Sequence, residues 1–196
     1  GMSSRYLTES EQDETITVKT IAMDGLAVIV NQSNQVNDIS RDQLYDVYKG
    51  NITNWKQLGG EDKAIAVVAR GASSGSQYSF ESLLGLTKTV NGRMVSDIST
   101  DNLVVNSNSM VKTLVNHNSH AIGFVSLGSV DRSIKAIQFE GVEPTSKNIV
   151  DKRYELARPF LVLYQNLDQE SKSFIDYLKS VQAKQLITEY GYTASK

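Results

Sequence analysis

The segment Arg70-Gly71-Ala72-Ser73-Ser74-Gly75-Ser76-Gln77 concentrates side chains that could hold a ligand. An apolar run over residues 65–69 leads into it, and a helical pattern with Phe80, Leu83 and Leu84 leads out, so it reads as strand, serine-glycine turn and helix start. The first turn of a helix presents unpaired N–H groups with a partial positive charge, and glycine lets that backbone approach a ligand closely. Such a turn can hold a small tetrahedral anion. Ser74 and Ser76 add hydroxyl donors, and Arg70 can reach the same point with a fork of N–H groups that matches two oxygens of one anion. An alternative of equal weight has Ser74 only capping the helix, with Gln77 completing a capping box and Arg70 a solvated strand end. The segment is not a nucleotide P-loop, because no lysine follows the glycines and the spacing between them is too short.

Other chemistry-bearing residues point to no reaction. His117 and His120 stand close together at the expected end of a helix beginning near Ser109, where a positively charged ring suits the helix C-terminus and no third metal ligand is in sight. Serine, histidine and aspartate are all present, but their presence and spacing alone do not support a hydrolase. Glu81 and Asp101 read as surface charge, and Trp55 as a packing anchor.

The elements that must position Arg70 and its turn alternate between short β-branched strands and helices. This predicts an α/β protein with largely parallel sheets. Strands are expected over residues 26–31, 65–69, 103–106, 121–125, 134–139 and 160–164, none of them an amphipathic surface strand. The clearest helix starts at Ser40, with Gln43 forming a capping box, Leu44, Val47 and Tyr48 on its buried face, and Gly50 ending it. Near the C-terminus Phe174, Tyr177, Leu178 and Val181 repeat that spacing, and Leu186, Ile187 and Tyr190 continue it to Gly191, predicting a helical tail packed on its apolar stripe. Residues 141–152 are polar and irregular, as in a linker or long loop.

Composition bounds the partners. A net charge of −2 spread along the chain offers no basic field for nucleic acid or an anionic membrane. The absence of cysteine removes disulfides, thiolate chemistry and cysteine-based zinc sites. The most apolar run, residues 26–30, is far short of a membrane span. Gly1 before Met2 looks like the scar of a removed tag, and the expectation is that any export signal lies outside these residues.

Several ordered motifs are similar to one family. Gly1-Met2-Ser3-Ser4-Arg5, the run from Ile21 through Asp24-Gly25 to Asn31, Gly50-Asn51-Ile52-Thr53-Asn54-Trp55, Arg70 through Ser76 with Phe80-Glu81, Ala121-Ile122-Gly123-Phe124-Val125-Ser126, Arg158-Pro159 and Tyr190-Gly191-Tyr192 resemble, in order, the phosphate-binding proteins of ABC importers. The resemblance implies a type 2 periplasmic-binding fold, two α/β lobes joined by hinge strands, with dehydrated phosphate between them. It implies phosphate ligands at Arg70, Ser74, Gly75 and Ser76, with Ser76 keeping the hydroxyl of the threonine that relatives carry. Ser3 and Ser4 resemble the first-lobe site motif, Ser4 standing where many relatives have an aspartate that accepts a proton from the ligand. Asp24 is a candidate replacement acceptor; capping a turn with Gly25 is its alternative role.

The resemblance also implies lobes over residues 1–31 plus 144–196, with the hinge, and over residues 32–143. The expected first lobe is truncated, because its early strands and a phosphate loop fall outside the sequence. Exposed edges and apolar faces there would favour a homo-oligomer. Tyr154 lacks the glycine that usually precedes it, which would alter the return hinge. The expected partners are inorganic phosphate and the permease subunits of an ABC transporter outside the cytoplasm, with no cofactor and no metal. A binding-dead scaffold or adhesion module of the same fold stays open, and so does a phosphate-ester hydrolase.

Overall fold

The computed structural model describes residues 1–195. The strands are β1 (Met2–Ser3), β2 (Thr17–Val30), β3 (Asp38–Ile39), β4 (Ala66–Arg70), β5 (Thr87–Val90), β6 (Arg93–Ser96), β7 (Leu103–Val105), β8 (Ala121–Ser126), β9 (Lys135–Ala136), β10 (Gln138–Phe139), β11 (Ala157–Tyr164) and β12 (Thr193–Ala194). The helices of a full turn or more are α1 (Arg41–Lys49), α2 (Gly75–Leu84), α3 (Asn108–His117), α4 (Ser146–Val150), α5 (Gln169–Leu178) and α6 (Val181–Glu189). Eight strands join one sheet in the order β1-β11-β2-β8-β4-β7, with β9 and β12 also pairing β2.

β2 changes partners along its length. Residues 17–25 pair antiparallel with β11, from Thr17 opposite Tyr164 to Gly25 opposite Ala157, while residues 26–30 pair antiparallel with β8, from Leu26 opposite Ser126 to Val30 opposite Ile122. Residues 17–20 of β2 are exposed, and the strand's start there was not expected from sequence; residues 26–30 are buried on both faces. Leu26, Val28 and Val30 face a core shared with α1, Trp55 and α2, and Ala27 and Ile29 face a second core with α3. Alternate residues of one apolar run thus fill two cores, as in strands covered by helices on each side.

The expectation of largely parallel sheets is overturned. Parallel pairing is confined to β4 with β7 and β8 and to the short pair β3 and β10, whereas β2 is antiparallel to β8, β9, β11 and β12. The crossovers through α2 and α3 set the parallel part, but β2 comes before those crossovers and runs antiparallel to β8. The strand expected over residues 134–139 is split into β9 and β10, with Ile137 between them still donating its N–H to the Val28 carbonyl at 3.0 Å. A hairpin of β5 and β6 had not been expected. Its turn, Asn91-Gly92, holds positive φ at both residues (50° and 74°), the geometry that suits a two-residue hairpin.

α1 forms as its sequence predicts: Ser40 and Gln43 cap it reciprocally, Gly50 ends it at φ 82°, and Leu44, Val47 and Tyr48 are buried. Residues 141–152 are not a bare linker. Thr145 caps α4 there, and Ile149 is buried with its Cδ1 so close to Gly25 that a Cβ at Gly25 would lie 2.6 Å from it. The C-terminal tail is two helices, because Ser180 caps α6 anew after α5 ends at Lys179. Ile175 and Ala183 are buried, but Phe174, Tyr177, Val181, Leu186 and Tyr190 are exposed, so the expected packed stripe faces outward. The apolar contact needs a covering surface, and among the described residues none covers that side. Trp55 is buried as a packing anchor, its Nε1–H donating to the His120 carbonyl at 2.8 Å. At the end of α3 the His117 Nδ1 meets the Thr113 carbonyl at 2.8 Å.

Candidate functional site

The site is built where β4 hands over to α2. Ser74 caps α2, its Oγ accepting from the Gln77 N–H at 3.2 Å. The capping box expected with Gln77 does not form. Gln77 is buried and its Oε1 instead accepts the backbone N–H of Arg70 at 2.8 Å, while its Nε2 donates to Glu81 at 2.6 Å. Glu81, expected on the surface, is buried and also accepts the Ser96 hydroxyl at 2.7 Å. The helix interior therefore fixes the end of β4 through Gln77. The N–H groups of Gly75 and Ser76 find no acceptor among the described residues, so the first turn of α2 presents two free donors beside Arg70.

Arg70 is aimed by neutral groups. Its Nη1 donates to the Asn108 Oδ1 at 2.8 Å and its Nη2 to the Asn106 carbonyl at 3.2 Å, both at the start of α3. Its Nε is buried and has no partner. Desolvation first, and the charge of Arg158 second, hold the Arg70 guanidinium below the usual arginine range. No carboxylate pairs with Arg70 among the described residues, which leaves its charge unmatched.

The facing side comes from the N-terminal segment, β2 and β11. β1 pairs with β11, which brings the Ser4 Oγ to 3.7 Å from the position a Cβ on Gly75 would take. Ser3 is not brought in, because its hydroxyl donates to the Arg5 carbonyl at 3.0 Å. Asp24 does not cap a turn. It lies within β2 with a fully buried side chain, directly opposite Arg158 on β11. Its Oδ2 accepts from the Arg158 Nε at 3.1 Å and Nη2 at 2.9 Å, and its Oδ1 from the Ser126 hydroxyl at 2.5 Å. The charge of Asp24 is thereby matched inside the protein. Arg158 Nη2 also donates to the Ser76 Oγ at 3.3 Å, joining β11 to α2.

Arg70, Ser74, Gly75, Ser76 and Ser4 thus converge, with Asp24 one step behind them. Two residues were missed as site members: Arg158 and Ser126, each noted only within a motif. The signal was present, since Asp24 and Arg158 each interrupt an apolar strand, and a buried charge needs a partner. The net balance is two guanidinium groups and a helix N-terminus against one carboxylate, which favours an anion. Wider grooves lie elsewhere. One of about 750 Å³ is bordered by Tyr6, Val18 and Leu161, but its charged members Asp13 and Glu14 are acidic. A small anion is selected by converging donors rather than by volume.

Residues 1–182 match the PBP superfamily domain. An ABC-type phosphate transport receptor from Vibrio cholerae, known by crystal structure, is 62% identical, with 97% of this chain and 78% of that one covered and a TM-score of 0.95. A putative phosphate ABC transporter substrate-binding protein from Clostridium perfringens, solved with bound phosphate, is 34% identical over all of this chain and 79% of that one, with a TM-score of 0.82. The phosphate-binding protein PstS of Borreliella burgdorferi is 29% identical over 202 residues, spanning all of this chain and 72% of that protein. The fold is therefore the type 2 periplasmic-binding fold. No helix among the described residues is long and apolar enough to cross a membrane. Because the similarity runs along the whole chain and joins it to phosphate receptors in both sequence and fold, the chain belongs to the PstS-like phosphate-binding proteins of ABC transporters.

Proposed function

We propose that this chain binds inorganic phosphate at Arg70 and the first turn of α2, as the extracytoplasmic substrate-binding component of an ABC phosphate transporter. The observation that carries the reading is the Arg70 guanidinium, with its Nε buried and unpaired and no carboxylate facing it, beside the free N–H groups of Gly75 and Ser76. An oxyanion supplies the acceptors those donors lack. Ser74, Ser76 and Ser4 add hydroxyls around it. The action is binding without covalent chemistry, since the Asp24 carboxylate is already paired with Arg158 and no carboxylate pairs with Arg70 among the described residues. Closure about β2 and β11 then presents a closed form to the membrane subunits.

In this reading the lobes are residues 1–31 with 144–196, and residues 32–143. The change of partners along β2 supports a hinge at Asp24 to Leu26, a few residues before the boundary at 31. Calorimetric titration of anion-stripped protein with phosphate and then sulfate tests the reading. Phosphate binding that falls roughly 10- to 100-fold in Arg70→Ala is the expected result, the size of a lost charge-assisted hydrogen bond. No heat with phosphate, or an unchanged affinity in Arg70→Ala, overturns it.

A further inference from the structure

We propose that Arg158 is a second anion-binding arginine, whose Nη1 completes the cradle above Gly75 while its opposite edge is locked to Asp24 across the hinge. The proposal rests on the phosphate reading above and adds a ligand from the return strand to it. Three observations carry it. Nε and Nη2 are committed to Asp24, and Nη2 reaches Ser76 as well, but among the described residues no acceptor meets Nη1. That nitrogen lies 3.0 Å from where a Cβ on Gly75 would sit, directly over the helix turn whose N–H groups are free. The side chain is nearly buried, 11% exposed, and its plane packs near the Phe160 ring, 5.4 Å from the centroid. A guanidinium held this way cannot swing out to water, so its free edge stays aimed into the cradle.

Electrostatics point the same way. Arg70 and Arg158 are near enough for one to disfavour the charge of the other, and only Arg158 has a carboxylate. Two facing cations with one counter-charge are relieved by a bound anion between them. Asp24 then acts as the residue that positions Arg158 and not as the acceptor of a proton from the ligand. Because Asp24 and Arg158 sit on β2 and β11, the anion's contact with Nη1 ties ligand binding to the geometry of the hinge itself.

The test is phosphate titration of the wild-type protein, Arg158→Lys, and the double variant Asp24→Asn with Arg158→Gln, each checked by thermal melting. The double variant removes both buried charges together, so the hinge keeps a neutral hydrogen-bonded pair. It is expected to melt near wild type and to bind phosphate roughly 10- to 100-fold more weakly. Wild-type affinity in the double variant would show that Arg158 only clamps the hinge, and overturns the proposal. If the double variant fails to fold, Arg158→Lys decides. Lysine keeps a charge against Asp24 without the fork, so weaker binding supports the proposal and wild-type affinity overturns it. A wild-type protein that gives no phosphate signal overturns the phosphate reading beneath it, an outcome separate from either variant's.

Discussion

At the scale of single residues, Gly75 is a glycine for reasons of space. It opens α2, and its φ is not among the positive ones. A methyl group there would press on Arg158 Nη1 at 3.0 Å and approach the Ser4 Oγ at 3.7 Å. Gly75→Ala should therefore weaken phosphate binding by roughly tenfold, the size of one spoiled charge-assisted contact. The same change should leave the melting temperature near that of wild type, because the gain of alanine over glycine in a helix, up to about 1 kcal/mol, works against the pressure on Arg158. Titration and melting of one variant check both outcomes. Ser74 shows the converse economy: its hydroxyl oxygen accepts from the Gln77 N–H to cap the helix, which leaves its own hydrogen to donate to a ligand.

Among the elements, α2 links the turn after β4 to the hairpin of β5 and β6. Arg70, Gln77, Glu81 and Ser96 form a hydrogen-bonded chain from β4 through the helix to β6, so the hairpin that had escaped notice helps to hold Arg70 in place. α5 and α6 behave differently, because they rest on the sheet through few residues. Ile175→Ala should cost about 2–5 kcal/mol, the usual range for truncating a buried aliphatic side chain. Val181→Ser, at 82% exposure, should change stability by no more than about 0.5 kcal/mol. Urea unfolding of the two variants measures the contrast. Equal costs would mean that the outward face is covered in solution.

For the molecule as a whole, two buried phenols anchor the main core to its strands. Tyr48 donates its hydroxyl to the Val68 carbonyl at 2.9 Å, and Tyr154 donates to the Leu26 carbonyl at 2.8 Å, where β2 changes partners. Burial pushes both phenols well above the usual tyrosine range. Their folded forms stay protonated at a pH where the unfolded chain ionises. Their contribution is thus complete below the unfolded tyrosine value of about 10 and is lost as pH rises above it. Stability should fall above that point by about 1.4 kcal/mol per pH unit for each of the two groups. Tyr48→Phe or Tyr154→Phe should reduce the slope by one such step. Denaturant unfolding between neutral and alkaline pH reads it directly, and an unaltered slope in both variants would remove the tyrosines from the account.

What the sequence determined by itself is the local part of this protein. The strand, turn and helix around Arg70, the caps of α1, and the doubly buried end of β2 follow from apolar runs, serine caps and glycine stops that act within a few residues of one another. Only the tertiary structure decided which distant groups meet. Asp24 and Arg158 are 134 positions apart, Asp24 and Ser126 are 102 apart, and no periodicity encodes such pairings. The direction of β2 against its neighbours, the turn of Gln77 toward Arg70 and the outward face of α5 and α6 were equally hidden. Each depends on what the folded chain brings alongside, and a capping serine or an apolar stripe has the same local pattern whether its neighbour is protein, ligand or water.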